Sequence, residues 1–287
     1  MGNNCLLPPR HKTILEAILR EGNPYGKPRE DRRKPYPNME YRREAEYLFF
    51  GGCTATYLLP EMVRDALNIL QAGGVQYAFL GVEEPCCGSV LIRSGYAKDA
   101  EKLALQNLRL FEKKSVSKVI TICSGCYRTF KIDYPELLGD TGFKVYHISE
   151  IISDLLSKEK IKLKKLDEAE EKVTYHDPCH LGVHCGVYDQ PRNILQEIYG
   201  NCFVEMVRNR RDSRCCGAGG GVKSALPEIS VAMAEQRLLD ATDVGAKLLL
   251  TSCPFCLINL NDAAKQRKND TQIIDFVHIV AKQLLNT

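Results

Sequence analysis

The chain of 287 residues is long enough for one large α/β domain or two smaller ones, and its 44% hydrophobic and 26% charged residues are ordinary for a folded protein. A net charge of +3 is too mild to argue for nucleic acid, and no run approaches the roughly 18 uninterrupted apolar residues of a membrane span. The abnormal quantity is cysteine, at 13 residues. The start, Met1 to Cys5, lacks the basic and apolar regions of a signal peptide, so a cytoplasmic protein is expected. Thiol pools there are reducing, which disfavours structural disulfides and points to metal or redox chemistry.

Residues 1–44 read as an N-terminal arm, a docking segment with a short helix over Thr13–Arg20 and a turn-rich break at Gly22-Asn23-Pro24-Tyr25-Gly26. The charged, proline-bearing stretch Arg29–Pro37 suits an extended arm, and its basic run reads as solvated surface or a docking edge. A βα rhythm then begins. Tyr47–Phe50 is strand-like and ends at Gly51-Gly52-Cys53; Pro60–Gln71 reads as a helix with proline in its first turn. Val75–Val82 leads to Cys86-Cys87-Gly88, Ala97–Lys114 has helical apolar spacing, and the strand Lys118–Ile122 ends at Cys123-Ser124-Gly125-Cys126.

A connector over 144–171 follows, holding a strand Val145–Ile148, a helix Ile151–Leu156 and a lysine-rich solvated stretch. The rhythm then repeats. Lys172–Tyr175 leads to Cys179, Asn193–Tyr199 is helical, and Phe203–Val207 reads as a strand running through a basic loop to Cys215-Cys216-Gly217. Val222–Leu239 reads as one helix, Lys247–Leu250 leads to Cys253-Pro254-Phe255-Cys256, and a helix around Ile273–Leu285 closes the chain. Matching cysteines recur at offsets of 126, 129 and 130 residues, the mark of an internal duplication. The expected fold is α/β, with two pseudo-symmetric βα-repeat halves, 45–143 and 172–287, mainly parallel sheets, and cysteines at the carboxyl ends of strands where open α/β sheets place ligands.

Ten cysteines fall into two matching sets, Cys53, Cys86, Cys87, Cys123 and Cys126, then Cys179, Cys215, Cys216, Cys253 and Cys256; Cys5, Cys185 and Cys202 stand outside. Thiolates suit zinc or iron–sulfur clusters. A structural zinc site wants four ligands from two closely spaced pairs, which five per half, two of them adjacent, fit poorly. Adjacent cysteines reach two atoms of an extended cluster more readily than one ion. A disulfide scaffold, a Cys-x-x-Cys dithiol reductase and a dinucleotide loop at Gly217–Gly221 are weaker readings; the last lacks a strand directly before its glycines. Gly88, Gly217 and Gly219–Gly221 would let backbone approach a cluster. His176, His180 and His184 near Cys179 are candidates for proton donation or hydrogen bonds to sulfur, or are structural; Lys223 is a candidate for binding an acidic substrate.

On these residues the chain resembles the CCG-domain family, the cysteine-rich domain of the B and D subunits of heterodisulfide reductase. Its pattern of a cysteine, Cys-Cys-Gly and Cys-x-x-Cys, with thirty-odd residues between, is satisfied twice over about 45–287. The resemblance implies that each five-cysteine set holds a noncubane 4Fe–4S cluster, giving two clusters. It also implies an oxidoreductase subunit that reductively cleaves, or forms, a disulfide of small thiols, with one electron from each cluster. The alternative is an electron-relay subunit of a flavin-linked dehydrogenase of lactate, glycolate or succinate type, or of a sulfur-respiration membrane complex. The stretches Leu6–His11 and Gly22–Gly26 look like the segment that follows a ferredoxin-like domain in fused relatives. No Cys-x-x-Cys-x-x-Cys run precedes Cys53, so a separate ferredoxin-like subunit, resembling the C subunit of heterodisulfide reductase, and a flavoprotein subunit are the expected partners. Membrane association would come through such partners.

Overall fold

The computed structural model describes residues 8–36, 45–166 and 171–285. Among the described residues seven parallel strands form two sheets. Strands β1 (Tyr47–Phe50), β2 (Tyr77–Phe79), β3 (Lys118–Thr121) and β4 (Lys144–His147) lie in the order β2-β1-β3-β4; β5 (Lys172–His176), β6 (Ala246–Thr251) and β7 (Gln272–Asp275) lie in the order β5-β6-β7. An isolated parallel bridge between Val173 and Phe203 sits where the second sheet would carry its counterpart of β2. The two sheets therefore share one topology, as the duplication predicts. Each is covered on both faces by helices, which is why the central strands are continuous apolar runs rather than alternating ones: Leu48, Phe49 and Phe50 are all buried, and so are Leu249 and Leu250.

The halves share a core. Val63, Ile69, Ile120 and Ile152 pack in one cluster with Tyr175, Ile194, Leu250 and Phe276. Ser124 Oγ donates to Ser252 O at 2.9 Å, and His278 Nδ1 meets Asp65 Oδ2 at 2.7 Å across the same seam. Beneath the first set of cysteines lies an aromatic cluster in which Phe50, Phe111, Phe130 and Phe143 meet edge to face, at centroid distances of 4.8–6.4 Å.

Four expectations are corrected. Phe203–Val207 is not a strand: after one hydrogen bond, Val204 N to Val173 O, the chain turns outward and leaves Val207 89% exposed. Val222–Leu239 is two helices, Val222–Ala225 and Pro227–Asp243, because Pro227 lacks the N–H that would continue the first. The closing segment begins as β7, pairing Ile273 with Leu249, before the helix Phe276–Gln283. Finally β4, placed in a connector by the sequence, is the edge strand of the first sheet. Part of that connector and of the arm, together with Cys5, lies outside the described residues.

Among the described residues no helix is long and apolar enough to cross a membrane. The arm does not stand free. Its helix Pro9–Glu21 packs on the second half, where Arg10 Nη1 donates to Ser224 O and His11 Nε2 meets Gly221 O at 3.0 Å. Its later residues bind the first half, through Tyr25 OH with Thr54 Oγ1 at 2.7 Å and Lys27 Nζ to Tyr57 O at 3.2 Å. It straps the two halves together. The basic run is correspondingly not all solvated: Arg32 is 1% exposed.

Candidate metal centre

The single cysteines and the Cys-x-x-Cys pairs lie where a parallel strand gives way to a loop or helix, whereas Cys86-Cys87 and Cys215-Cys216 lie further along the chain, the latter after no strand among the described residues. Cys53 opens the helix Cys53–Leu58 after β1, and Cys123 and Cys253 cap the helices Ser124–Arg128 and Pro254–Arg267 after β3 and β6. Cys126 and Cys256 sit one turn inside those helices. Cys86-Cys87 and Cys215-Cys216 ride on loops whose turn glycines, Gly88 and Gly217, have φ of +83° and +80°. A Cβ at Gly217 would come within 2.5 Å of Ser230 O, so only glycine lets this loop close on the helix Pro227–Asp243. Gly52 is similarly constrained, with φ +75° and 3.0 Å between a hypothetical Cβ and Cys126 Sγ.

The ten thiols form one continuous row. Neighbour to neighbour it runs Cys53, Cys86, Cys87, Cys126, Cys123, then across the seam to Cys253, Cys256, Cys216, Cys215 and Cys179. The order in the second half is the reverse of that in the first, so the row is symmetric about the contact of Cys123 with Cys253. All five thiols of the first half are buried, whereas Cys179 and Cys215 are half-exposed. Cys126 Sγ lies 3.3 Å from Cys87 Sγ. Cys185 and Cys202 are not in the row.

Crowding polarises the thiols. Cys53, Cys126, Cys256, Cys179 and Cys216 are held above the usual thiol range, first by an adjacent thiol and then by burial. Cys87, Cys215 and Cys253 are pulled down, each first by a neighbouring thiol that donates to it, Cys126, Cys179 and Cys123 respectively. Such a row cannot ionise together without positive charge placed among the sulfurs, which is what a thiolate-bound metal cofactor supplies.

A buried donor points the same way. Arg237 Nε donates to His176 Nδ1 at 3.1 Å; a guanidinium can only donate, so Nδ1 accepts. Burial first, and Arg237 next, push the ring down to about 4, so the neutral imidazole carries its hydrogen on Nε2. That N–H is buried and has no acceptor among the described residues. A ring nitrogen of His176 and the sulfurs of Cys216 and Cys256 lie within 4.8 Å of one another. With Nδ1 occupied and Nε2 protonated, His176 has no lone pair for a metal; it is a donor beside sulfur. The residues present fit a sulfur-rich cofactor better than a lone ion.

All of the row but Cys215 lines a cavity of about 350 Å³, closed by Ile14, Pro24 and Tyr25 of the arm and by Gly219–Gly221, with Leu58, Val90, Phe255 and Ile258 making it largely apolar. His180 faces this cavity, its ring pushed down to about 4 by burial first and Arg93 next, and lies 5.5 Å from the ring of His184. Lys223 also lines it, but Asp262 Oδ2 at 2.6 Å and Asn259 Oδ1 at 2.7 Å engage its ammonium. Sequence reasoning missed Arg32 and Glu84. Arg32 Nη1 donates to Glu84 Oε1 at 2.6 Å and Nη2 to Cys53 Sγ at 3.3 Å, while Glu84 also accepts from Gly51 N and Gly52 N. No periodicity marks either residue, because their role depends on a fold-back of the arm.

The sequence matches the family described as "Cysteine-rich domain" (CCG) twice, over 47–131 and 173–261. The chain belongs to the CCG family. Among curated relatives it is 43% identical to the D subunit of the Dihydromethanophenazine:CoB–CoM heterodisulfide reductase of Methanosarcina barkeri, over 91% of this chain and 65% of that protein. It is 35% identical to a probable iron–sulfur-binding oxidoreductase of Bacillus subtilis, over 94% and 40% respectively. It is also 35% identical to the B subunit of the Fumarate reductase (CoM/CoB) of Methanothermobacter marburgensis, over 81% and 45%. This CCG chain thus spans less than two thirds of the length of these relatives. A crystal structure of a hypothetical protein from Helicobacter pylori shares the fold, with a TM-score of 0.60 at 12% identity over 93% of this chain and 56% of that one.

Proposed function

We propose that this CCG protein is an iron–sulfur oxidoreductase subunit in which the first five row cysteines, Cys53, Cys86, Cys87, Cys123 and Cys126, hold one 4Fe–4S cluster and Cys179, Cys215, Cys216, Cys253 and Cys256 hold a second, both noncubane, and that it cleaves or forms a disulfide of small thiols. The observation that carries this reading is the symmetric ten-thiol row, nine of whose members line a cavity of small-molecule size. When bound, the clusters supply one-electron transfer. The chain's own residues do the rest. The apolar walls and the arm exclude water, the half-exposed Cys179 marks the side open to a substrate, and the neutral His180 lines the cavity where its ring N–H can hydrogen-bond a bound sulfur. The ferredoxin-like and flavoprotein partners remain part of the proposal, supported by relatives named as subunits of reductase complexes.

Anaerobically purified protein is expected to contain about eight irons and eight acid-labile sulfides per chain, four of each per cluster. Zinc in their place sinks the reading. Electron relay is favoured by a different observation, the 35% identity over 84% of this chain to the EtfAB:quinone oxidoreductase of Syntrophomonas wolfei. Oxidation in the presence of small thiols separates the two: disulfide chemistry predicts a new paramagnetic signal that depends on the thiol, and indifference to every thiol favours relay.

A further inference from the structure

Both halves place a buried arginine–carboxylate pair beside the first cysteine of the set, yet the two pairs are built differently. In the second half, Arg192 grips Asp177, two residues before Cys179, and spends its remaining hydrogens on Glu205 and Tyr188 O. No arginine or lysine bonds Cys179 among the described residues. In the first half, Gly51 stands where Asp177 would be, and the carboxylate is Glu84, two residues before Cys86. Its partner Arg32 comes from the arm, outside the matched domain, and reaches past Glu84 to the sulfur of Cys53. The guanidinium is held over the Tyr57 ring at 5.0 Å, which fixes its plane, and it is 1% exposed.

We propose that Arg32 tunes the first centre: its Nη2–H donates to the sulfur of Cys53, and this charged donor raises the reduction potential of the first centre. The inference rests on the cluster reading above. A cluster gains negative charge on reduction, and a charge-assisted N–H···S bond favours the more negative state. Burial keeps water from screening the contact. Glu84 offsets part of the positive charge, but two backbone N–H groups share its own, so the donor aimed at sulfur is not cancelled. Arg32 is a positioning and tuning residue, and the arm becomes a working part of the site rather than packaging around it.

Redox titration of the holo-chain followed by electron paramagnetic resonance tests this. In Arg32→Met, with Glu84→Gln added so that no carboxylate is stranded, one of the two centres is expected to fall in potential. Its oxidised-to-reduced ratio at fixed potential should rise about tenfold, or about 59 mV for a one-electron couple. The other centre and the iron content should not move. Arg32→Lys, which keeps a charge beside Glu84 but has no second arm for the sulfur, should shift the same centre the same way. In unmodified protein carrying guanidino-15N arginine, pulsed resonance of the reduced chain should show a weak 15N coupling that Arg32→Lys removes. Unmoved potentials at full iron, or no arginine coupling, overturn the inference alone. A chain that takes up no iron overturns the cluster reading and this with it.

Discussion

Replacing Cys87 with serine is expected to remove one cluster and spare the other, lowering iron and sulfide to about half. Cys87 stands in the middle of the first-half thiols, between Cys86 and Cys126, and is the thiol its neighbours drive furthest toward thiolate in that half, to about 6 with Cys126 the first cause. A serine hydroxyl of similar size keeps the packing but is a hard, barely acidic donor, poorly suited to iron within a sulfide cluster. Cys216→Ser should do the same to the second half, because the row repeats in reverse order across the seam. Among the described residues the two thiol sets meet at Cys123 with Cys253, so loss on one side should stop there. Metal analysis and electron paramagnetic resonance of the two variants and of the double variant read this directly. If either single substitution strips both halves, the ten thiols hold one shared cofactor rather than two; if neither changes the iron, these cysteines are not its ligands.

The grouping of the ten thiols was legible in the sequence because its signals are local: Cys-Cys-Gly, Cys-x-x-Cys and the strand-like runs before them are each read within a few residues. The order of the row was not, since Cys123 and Cys253 are 130 residues apart and meet only when the two halves share a core. Other misreadings have the same origin. Ile273-Ile274 fits an apolar helix face as well as a strand, and pairing with Leu249 and Leu250 decides the matter. Pro227 was a local signal that the apolar periodicity around it concealed. Arg32 looked like one more charge in a basic run, because its partners Glu84 and Cys53 lie 52 and 21 residues away.

The buried second-half ion pair is a separate test of what holds the fold, and Arg192→Met should cost about 3–5 kcal/mol. Arg192 and Asp177 are 5% and 2% exposed, and two parallel hydrogen bonds of 2.6 and 2.8 Å join them. Asp177 also accepts from Arg210 N, tying the turn before Cys179 to the basic loop that leads to Cys215. Methionine fills much of the arginine's volume, so the loss is mainly electrostatic: a carboxylate left in the interior with one backbone donor. At about 2–4 °C per kcal/mol for a chain of this size, Tm should fall by roughly 6–20 °C. Adding Asp177→Asn removes the stranded charge and should restore part of the loss, a coupling that a pure packing defect would not give. Glu205→Gln is the control, since that side chain is 37% exposed and its pairing with Arg192 should be worth no more than about 1 kcal/mol. Thermal unfolding of the four proteins distinguishes these cases, and equal losses in Arg192→Met and the double variant would show that the charge is not what matters. Since the same pair holds the loops of Cys179 and Cys215 together, iron should leave the second half of Arg192→Met before the first as temperature rises.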